Sequence, residues 1–398
     1  MKPDDPKQKD VPTIAMLGSL PPLRALSSYC LEFSMAMADH ACVSFLSFRK
    51  IYPAFLYPGG TLQEDHTFPE IVHERLRIRR FLTWYNPLTW LIEGFFTKAE
   101  LLHAQWWSLP LFMIYACICL GFRLRKKPVV FTVHNVLSHE RSRLFTLASG
   151  WLFRLGDHFL VHSPKNKQQL IRQYGISPKQ ITVIPHGPLD FHVSSKLSRQ
   201  EARAKLNIKP EEKMILLFGA IRPYKGIDTA IAAFGRVLKE IPDARLVIAG
   251  KLWEDWIPYK NKIKNLNLEK HIDTFLNYIP AEMVSVFFTA ADLVLLPYHH
   301  FDSQSGVGAI AVSFRKPLIV STVGGLPELV NDPRCIVPPK DDEALAKAIV
   351  STLMDPDRLK TMGNDAKAVA EKISWPAIAK KVLSVYKNLL RNSSDKHM

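Results

Sequence analysis

The sequence lacks most of the short motifs that mark a nucleotide or metal site. Its five cysteines, Cys30, Cys42, Cys117, Cys119 and Cys335, are odd in number among 398 residues and have no ligand spacing, which argues against zinc and points to a reducing compartment. "GAIRPYKG" lacks the Gly-Lys-Ser/Thr ending of a Walker loop and no intact GxGxxG is present, so a P-loop nucleotidase and a nicotinamide dehydrogenase are disfavoured. No Asp-x-Asp stands at a strand end, so no divalent cation and no other cofactor is expected. The first ten residues, "MKPDDPKQKD", are polar with no apolar segment behind them, unlike a secretion signal; a cytoplasmic location follows as the expectation. Long apolar runs are scarce too. The 17 residues 106–122, "WWSLPLFMIYACICLGF", would make roughly 25 Å of helix against a hydrocarbon core of about 30 Å, and Ser108-Leu-Pro110 resembles a helix start that shortens them. A buried or membrane-touching helix is expected there, not a spanning one.

What the chain has is apolar residues, 47% of the total, and cations, with a formal net charge of +15. Its length suits two domains, each able to bury a core. The charge calls for an acidic partner: nucleic acid, an anionic membrane surface or phosphorylated small molecules. The cations are spread along the chain without a basic helix or finger motif, which disfavours nucleic acid. Strand-like runs at 13–17, 42–48, 101–103, 129–133, 158–161 and 182–184 alternate with helical periods, and so do runs at 214–218, 245–249, 271–275, 293–296, 318–321 and 335–337. The pattern predicts an α/β chain with two doubly wound, Rossmann-like parallel sheets in tandem. The glycine, proline and polar residues of "PHGPLDFHVSSKLSRQ" mark the junction.

Ligands of such sheets bind beyond the carboxyl ends of the strands. That rule selects Gly18 and Ser19, His134 and Asn135, Ser163, His186 and Gly187, Gly219 to Lys225, Gly250 and Lys251, the loop 297–306, and 322–325. Two such crests face to face would form a cleft lined by glycines, cations and histidines. "LLFGAIRPYKGIDTAIAAF" places Arg222 and Lys225 in a loop that ends a strand and opens a helix, a place for an anion. In "AADLVLLPYHHFDSQSGVGAIAVSFRKPLIVSTVGGLPELV" a helix is expected from about Gln304, with Ser303, Ser305 and Gly306 at its N-terminus.

The order of these pieces resembles the retaining glycosyltransferases of family 4 (glycosyl transferases group 1), whose GT-B fold sets two Rossmann-like domains across a cleft. "VIPHGPLD" resembles their strand-to-linker motif, "FGAIRPYKGID" their phosphate loop, "RLVIAGK" the next strand and "SQSGVGAIAVSFRKPLIVSTVGGLPEL" their donor-site signature; "LLHAQWW", "PVVFTVHNV" and "SWPAIAKKVLSVYKNLL" also match. The resemblance implies an N-terminal domain over 1–188 on the acceptor side, a donor domain over 189–376, and a helix over 377–398 returning to the first domain. It assigns Lys225 and Arg222 to the donor diphosphate together with Gly219, Gly250, Lys251, Ser303, Ser305, Gly306 and Val307, and Gly18 and Ser19 to the first-domain loop near the phosphates. It puts His134 beside the reacting sugar. The sequence departs from the family at three points. The two glutamates expected eight positions apart are Asp302 and Ile310. The arginine expected after the phosphate-loop glycine is Ala220. "GSLPPLRALSS" lacks the later glycines.

The implied reaction moves a sugar from a nucleotide-diphosphate donor to a glycan or glycolipid acceptor at the cytoplasmic membrane face, without metal. Arg75, Arg77, Arg79 and Arg80 ahead of "TWYNPLTWLIEGFF", with the 106–122 run, are the expected membrane contact. A sugar-nucleotide epimerase, a phosphorylase and an inactive sugar-binding subunit are the competing readings of the same shape.

Overall fold

The computed structural model describes residues 11–395 except 25, 52, 54–55, 57–63, 69, 138–142 and 195–196; the polar leader 1–10 lies outside the described residues. The chain divides into two compact units, Met1–Pro185 with Trp375–Met398, and His186–Ser374.

In the first unit β1 (Thr13–Leu17), β2 (Cys42–Lys50), β3 (Leu76–Thr83), β4 (Leu101–Trp106), β5 (Val129–Val133), β6 (His158–Val161) and β7 (Ile181–Val183) form a parallel sheet in the order β3-β2-β1-β4-β5-β6-β7. Its central strands are apolar on both sides because helices cover both faces; every residue of β4 and β5 is buried. Helices α2 (Pro87–Phe96), α3 (Phe112–Leu124), α4 (Arg143–Phe153) and α5 (Pro164–Tyr174) follow β3 to β6 in turn, and α3 and α4 share one apolar core with Ala15, Leu17, Leu102 and Phe131 of the sheet. Gly121 of α3 packs on Gly94 of α2 so closely that a Cβ would stand 2.6 Å from the Gly94 carbonyl. Helices α1 (Ser27–Ala38) and α13 (Trp375–Asp395) pack on each other.

Two expectations change here. The run 106–122 is not one helix: Trp106 closes β4, fully buried with its indole N–H on Ser149 Oγ at 3.0 Å, Leu109–Leu111 is a 3-10 turn, and α3 starts at Phe112. The strand and the inner face of the helix are both buried, and the outer face of the helix is apolar too, so hydrophobicity runs through the break. No helix of the described residues is long and apolar enough to cross a membrane. The basic cluster, in turn, lies on or just before the edge strand β3, which the sequence reading missed, and is largely committed within the unit. Arg79 Nε donates to Glu93 Oε1 at 3.0 Å, Arg80 to the Pro21 carbonyl, and Arg75 to the Asp39 carbonyl at 3.3 Å.

In the second unit β8 (Lys213–Phe218), β9 (Ala244–Ala249), β10 (Ile272–Phe275), β11 (Leu293–Leu296), β12 (Leu318–Ser321) and β13 (Ile336–Val337) form a parallel sheet in the order β10-β9-β8-β11-β12-β13. Its helices are α6 (Arg199–Lys205), α7 (Ile227–Glu240), α8 (Ile257–Asn265), α9 (Ala281–Ala290), α10 (Gly306–Ser313), α11 (Asp342–Leu353) and α12 (Pro356–Lys372). The winding reverses between β8 and β11, which places the switch point of this sheet at their carboxyl ends.

A buried polar seam in the first unit ties α13 to the sheet. His103 of β4 bonds the Tyr386 hydroxyl through Nδ1 and Thr132 Oγ1 through Nε2 at 2.7 Å, and Trp375 meets the Tyr29 ring edge-on at 5.4 Å. Burial pushes the His103 pKa down to about 3. The unfolded chain, where histidine titrates near ~6.5, therefore binds a proton that the native chain refuses. This contribution to stability is complete above that pH and is lost as pH falls toward 3. We expect the stability difference between parent and His103→Gln to shrink by about 2 kcal/mol from pH 6.5 to pH 5, at ~1.4 kcal/mol per unit. Denaturant titrations at the two pH values measure it; an unchanged difference refutes the neutral buried histidine.

Candidate functional site

The two loops at the switch point of the second unit are built into each other. β8 ends at Phe218, Gly219 turns with φ 99°, and the chain passes Arg222 into a 3-10 turn, Pro223–Lys225, before α7. Gly226 joins that turn to α7 with φ 70°, and a Cβ there would fall 1.9 Å from the Pro297 carbonyl oxygen of the loop after β11. Only glycine permits this approach. His299 N–H then donates to the Tyr224 carbonyl at 2.7 Å, and the His299 ring meets Thr229 Oγ1 at 2.9 Å.

Lys225 lies between these loops with only 5% of its surface exposed. Its ammonium donates to Tyr298 Oη at 2.9 Å and to the Phe218 carbonyl at 3.4 Å, and no carboxylate of the described residues pairs with it. Burial pushes its pKa below the usual lysine value; Arg222 nearby adds to the fall and Tyr224 opposes it. Tyr298 Oη lies 3.2 Å from Ser305 Oγ, which accepts from Gly308 N–H and caps α10. Since the lysine donates to the phenol, the phenol proton is free for Ser305. Burial raises the Tyr298 pKa, so the phenol stays protonated. A Cβ on Gly219 would stand 2.9 Å from both Lys225 Nζ and Val307 Cγ2, which brings Gly219, Lys225, Ser305 and Val307 together. Around Gly306, the first residue of α10, the space is open. A buried cation without a counter-charge next to the N-terminus of α10 forms a site short of one anion.

The other expected residues of this unit take varied positions. The Arg222 guanidinium stacks 3.8 Å over the Trp253 ring. Gly250 packs on Gly219, and the Lys251 carbonyl accepts Ile221 N–H at 2.8 Å, so β9's loop braces the loop after β8. Ser303 is buried, its carbonyl accepting Gly325 N–H at 3.0 Å. Asp302 is half-buried after β11. The helix expected from about Gln304 begins two residues later. Gln304 accepts from His186 N–H at 2.6 Å and donates to Glu328 at 2.7 Å. Ile310 sits in the apolar core of α10. Tyr298 and Trp253 were not singled out from the sequence. A tyrosine directly after a strand and a tryptophan three residues after Gly250 were the visible signals.

In the first unit His134 follows β5 and is buried. Its Nε2 meets Gln105 Oε1 at 2.9 Å and its Nδ1 meets His162 Nε2 at 3.1 Å, with the Tyr29 ring edge-on at 4.7 Å. Both ring nitrogens are engaged, so a hydrogen bond from the ring to a sugar would displace Gln105 or His162. Gly18 is packed among Cys30, Gln105 and Phe45, and Ser19 is fully buried beside it.

Two α/β units with parallel sheets and an anion-seeking switch point define the GT-B class of fold. Residues 198–369 match the family model of glycosyl transferases group 1, residues 45–188 match that of glycosyltransferase family 4, and the chain belongs to this family. It is 28% identical over 282 residues to the D-inositol 3-phosphate glycosyltransferase of Segniliparus rotundus, covering 67% of this chain and 62% of that protein. The chain spans about three fifths of the length of the curated relatives it matches. It is similar in structure to sucrose-phosphate synthase of Thermosynechococcus elongatus, with a TM-score of 0.70 at 20% identity over 96% of this chain and 100% of that one. The Anabaena protein HepE, solved in complex with UDP and glucose, matches with a TM-score of 0.70 at 17% identity over 95% and 100% of the two chains.

Ile310 permits a test of the local packing. We expect Ile310→Glu, which restores the family's residue type, to place an unpaired carboxylate in the core and cost on the order of 3 kcal/mol. Ile310→Val should cost about 1 kcal/mol. Chemical denaturation measures both, and a glutamate variant as stable as the parent would mean that the side chain reaches solvent.

Proposed function

We propose that the chain transfers a sugar, with retention at the anomeric carbon and without metal, from a nucleotide-diphosphate donor to a glycan or glycolipid acceptor presented at a cytoplasmic membrane face. The observation that carries this reading is Lys225, an ammonium buried without a counter-ion beside the open N-terminus of α10. HepE, whose fold this chain shares, was solved with UDP-glucose.

As the glycosidic bond breaks, negative charge grows on the diphosphate oxygen. Lys225, Arg222 and the first N–H groups of α10 neutralise it. Gly219, Gly250, Lys251, Ser303 and Val307 shape the phosphate loop around that anion, and the family resemblance assigns Gly18 and Ser19 to the same phosphates. Asp302 accepts hydrogen bonds from the sugar hydroxyls and His134 contacts the transferred sugar. Ile310 favours a second reading, a nucleotide-sugar-binding subunit without turnover, because the glutamate that would hold the ribose is missing. Donor hydrolysis or transfer separates the two.

Calorimetry with UDP as probe tests the phosphate site. Charge-assisted hydrogen bonds contribute roughly 1.5–3 kcal/mol, so Lys225→Ala should weaken UDP by about ten- to a hundredfold and leave uridine unaffected. Because the Lys225 pKa is lowered and an anion favours its charged form, UDP affinity should fall as pH rises toward the alkaline range. A folded Lys225→Ala protein with parental UDP affinity would refute the site. His134→Ala should lower turnover while sparing UDP affinity. Full turnover in that variant would reduce His134 to a structural role in the Gln105–His162 chain.

A further inference from the structure

The outer surface of α2, α3 and α4 is apolar, where helices covering a sheet ordinarily turn charge to water. On α2, Leu88, Ile92 and Phe96 form one exposed stripe, with Phe96 75% exposed. On α3, Met113, Leu120 and Leu124 recur at helical spacing on the side away from the core. On α4, Leu144, Leu147 and Trp151 do the same, and Leu147 is 72% exposed. The helices are neighbours, α2 on α3 at Gly94 and Gly121, and α3 on α4 where Phe112 meets Trp151 at 5.7 Å, so the three stripes form one field. A contiguous field of this kind marks an interaction site.

Charge on the same helices selects the occupant. Their one acidic side chain is Glu93, fully buried on Arg79. Exposed cations gather at their C-terminal ends: Lys98 after α2, Lys126 after α3 and Arg154 after α4. Parallel topology brings these ends to one edge of the sheet, because each helix runs into the next strand in turn, β4, β5 and β6. Among the described residues the carboxylates at these ends are few, Asp157 on Arg123 at 2.6 Å and Glu100 near Lys98, so a second copy docked symmetrically would set more cations than carboxylates toward each other. An anionic bilayer satisfies both parts of the surface, apolar stripes at the acyl boundary and cations at the headgroups.

We propose that the α2–α3–α4 face is a docking surface for an anionic lipid bilayer, lying on the membrane and not crossing it. Of the membrane contact expected from the sequence, this keeps the aromatic segment that forms α2 and the part of the 106–122 run that forms α3, adds α4, and sets aside the Arg75 to Arg80 cluster. It rests on the proposed function only for the location of the acceptor, and the two fail separately because vesicle binding and UDP binding are measured apart.

The test is co-sedimentation of the full chain with phosphatidylcholine vesicles, with and without phosphatidylglycerol. We expect recovery with the anionic vesicles that declines with salt. The triple variant Phe96→Gln, Leu147→Gln, Trp151→Gln should lose at least about a hundredfold in partitioning. Lys98→Gln and Lys126→Gln should each lose about fivefold. Arg75→Gln should change nothing. Near-UV circular dichroism and a parental thermal unfolding midpoint certify that the variants are folded. The proposal is overturned by absence of binding to anionic vesicles, by equal recovery with neutral ones, or by a triple variant that binds as the parent does. A dimer that the triple variant abolishes, without vesicle binding, overturns it in favour of a second copy.

Discussion

The second unit is organised around the burial of one ammonium. Lys225 has three N–H donors and two neutral oxygens, Tyr298 Oη and the Phe218 carbonyl, within hydrogen-bond reach. Such a cation would ordinarily be paired or left in water, because removing charge from solvent is costly. Here the turn Pro223–Lys225 and the left-handed Gly226 hold it in place, since the glycine allows the two loops to lock through His299 and Tyr224. Tyr298 then couples the lysine to the cap of α10, so that its charge and the helix N-terminus act on the same space. Removing the tyrosine hydroxyl would separate two elements that the backbone has already brought together.

Twelve of the thirteen strands of the described residues were legible in the sequence because a parallel sheet covered on both faces writes each strand as a short apolar run. The exception, β3, reads "LRIRRFLT", with arginines at three of its eight positions, and an edge strand carries such charges without harm to the sheet. The same legibility failed in the opposite direction at 106–122, where a buried strand end and a helix apolar on both its faces follow each other and periodicity cannot divide them. Side-chain partnerships were beyond reach for another reason. His134, Gln105 and His162 are 28 or 29 positions apart, and only the register of β4, β5 and β6 makes them neighbours. The loop of Lys225 was legible because glycine and cations punctuate it, whereas Tyr298 looked like any residue ending a strand.

The replacement of a family glutamate by Ile310 has a structural counterpart nearby. With Ile310 inside the core of α10, the polar chemistry of this region lies in Gln304, which joins His186 N–H to Glu328. Partial burial raises the Glu328 pKa, and its bond to Gln304 works against that rise. The bridge ties the loop after β11 to the 3-10 turn Leu326–Leu329 and to the start of the unit. A carboxylate reaching out of α10 would bind a ligand directly; an amide spent on the backbone holds the loop still instead. Lys225 keeps its charge beside the N-terminus of α10, while the Ile310 position offers no acceptor.

The net charge of +15 therefore divides into unlike parts. Some cations are structural: Arg203 satisfies the Lys209, Pro210 and Glu212 carbonyls, and Arg125 satisfies the last carbonyls of α2. Lys225 is neither solvated nor paired. Others pair with carboxylates, as Arg79 does with Glu93 and Arg123 with Asp157, and the exposed ones on and just after α2, α3 and α4 stand beside apolar stripes on helices whose one acidic side chain, Glu93, is buried. A composition cannot separate these classes because each contributes the same formal unit. Burial separates them: a cation bonded to carbonyls has its work done by the fold, an exposed one is screened within about 8 Å at physiological salt, and a buried unpaired one acts at full strength on whatever anion reaches it.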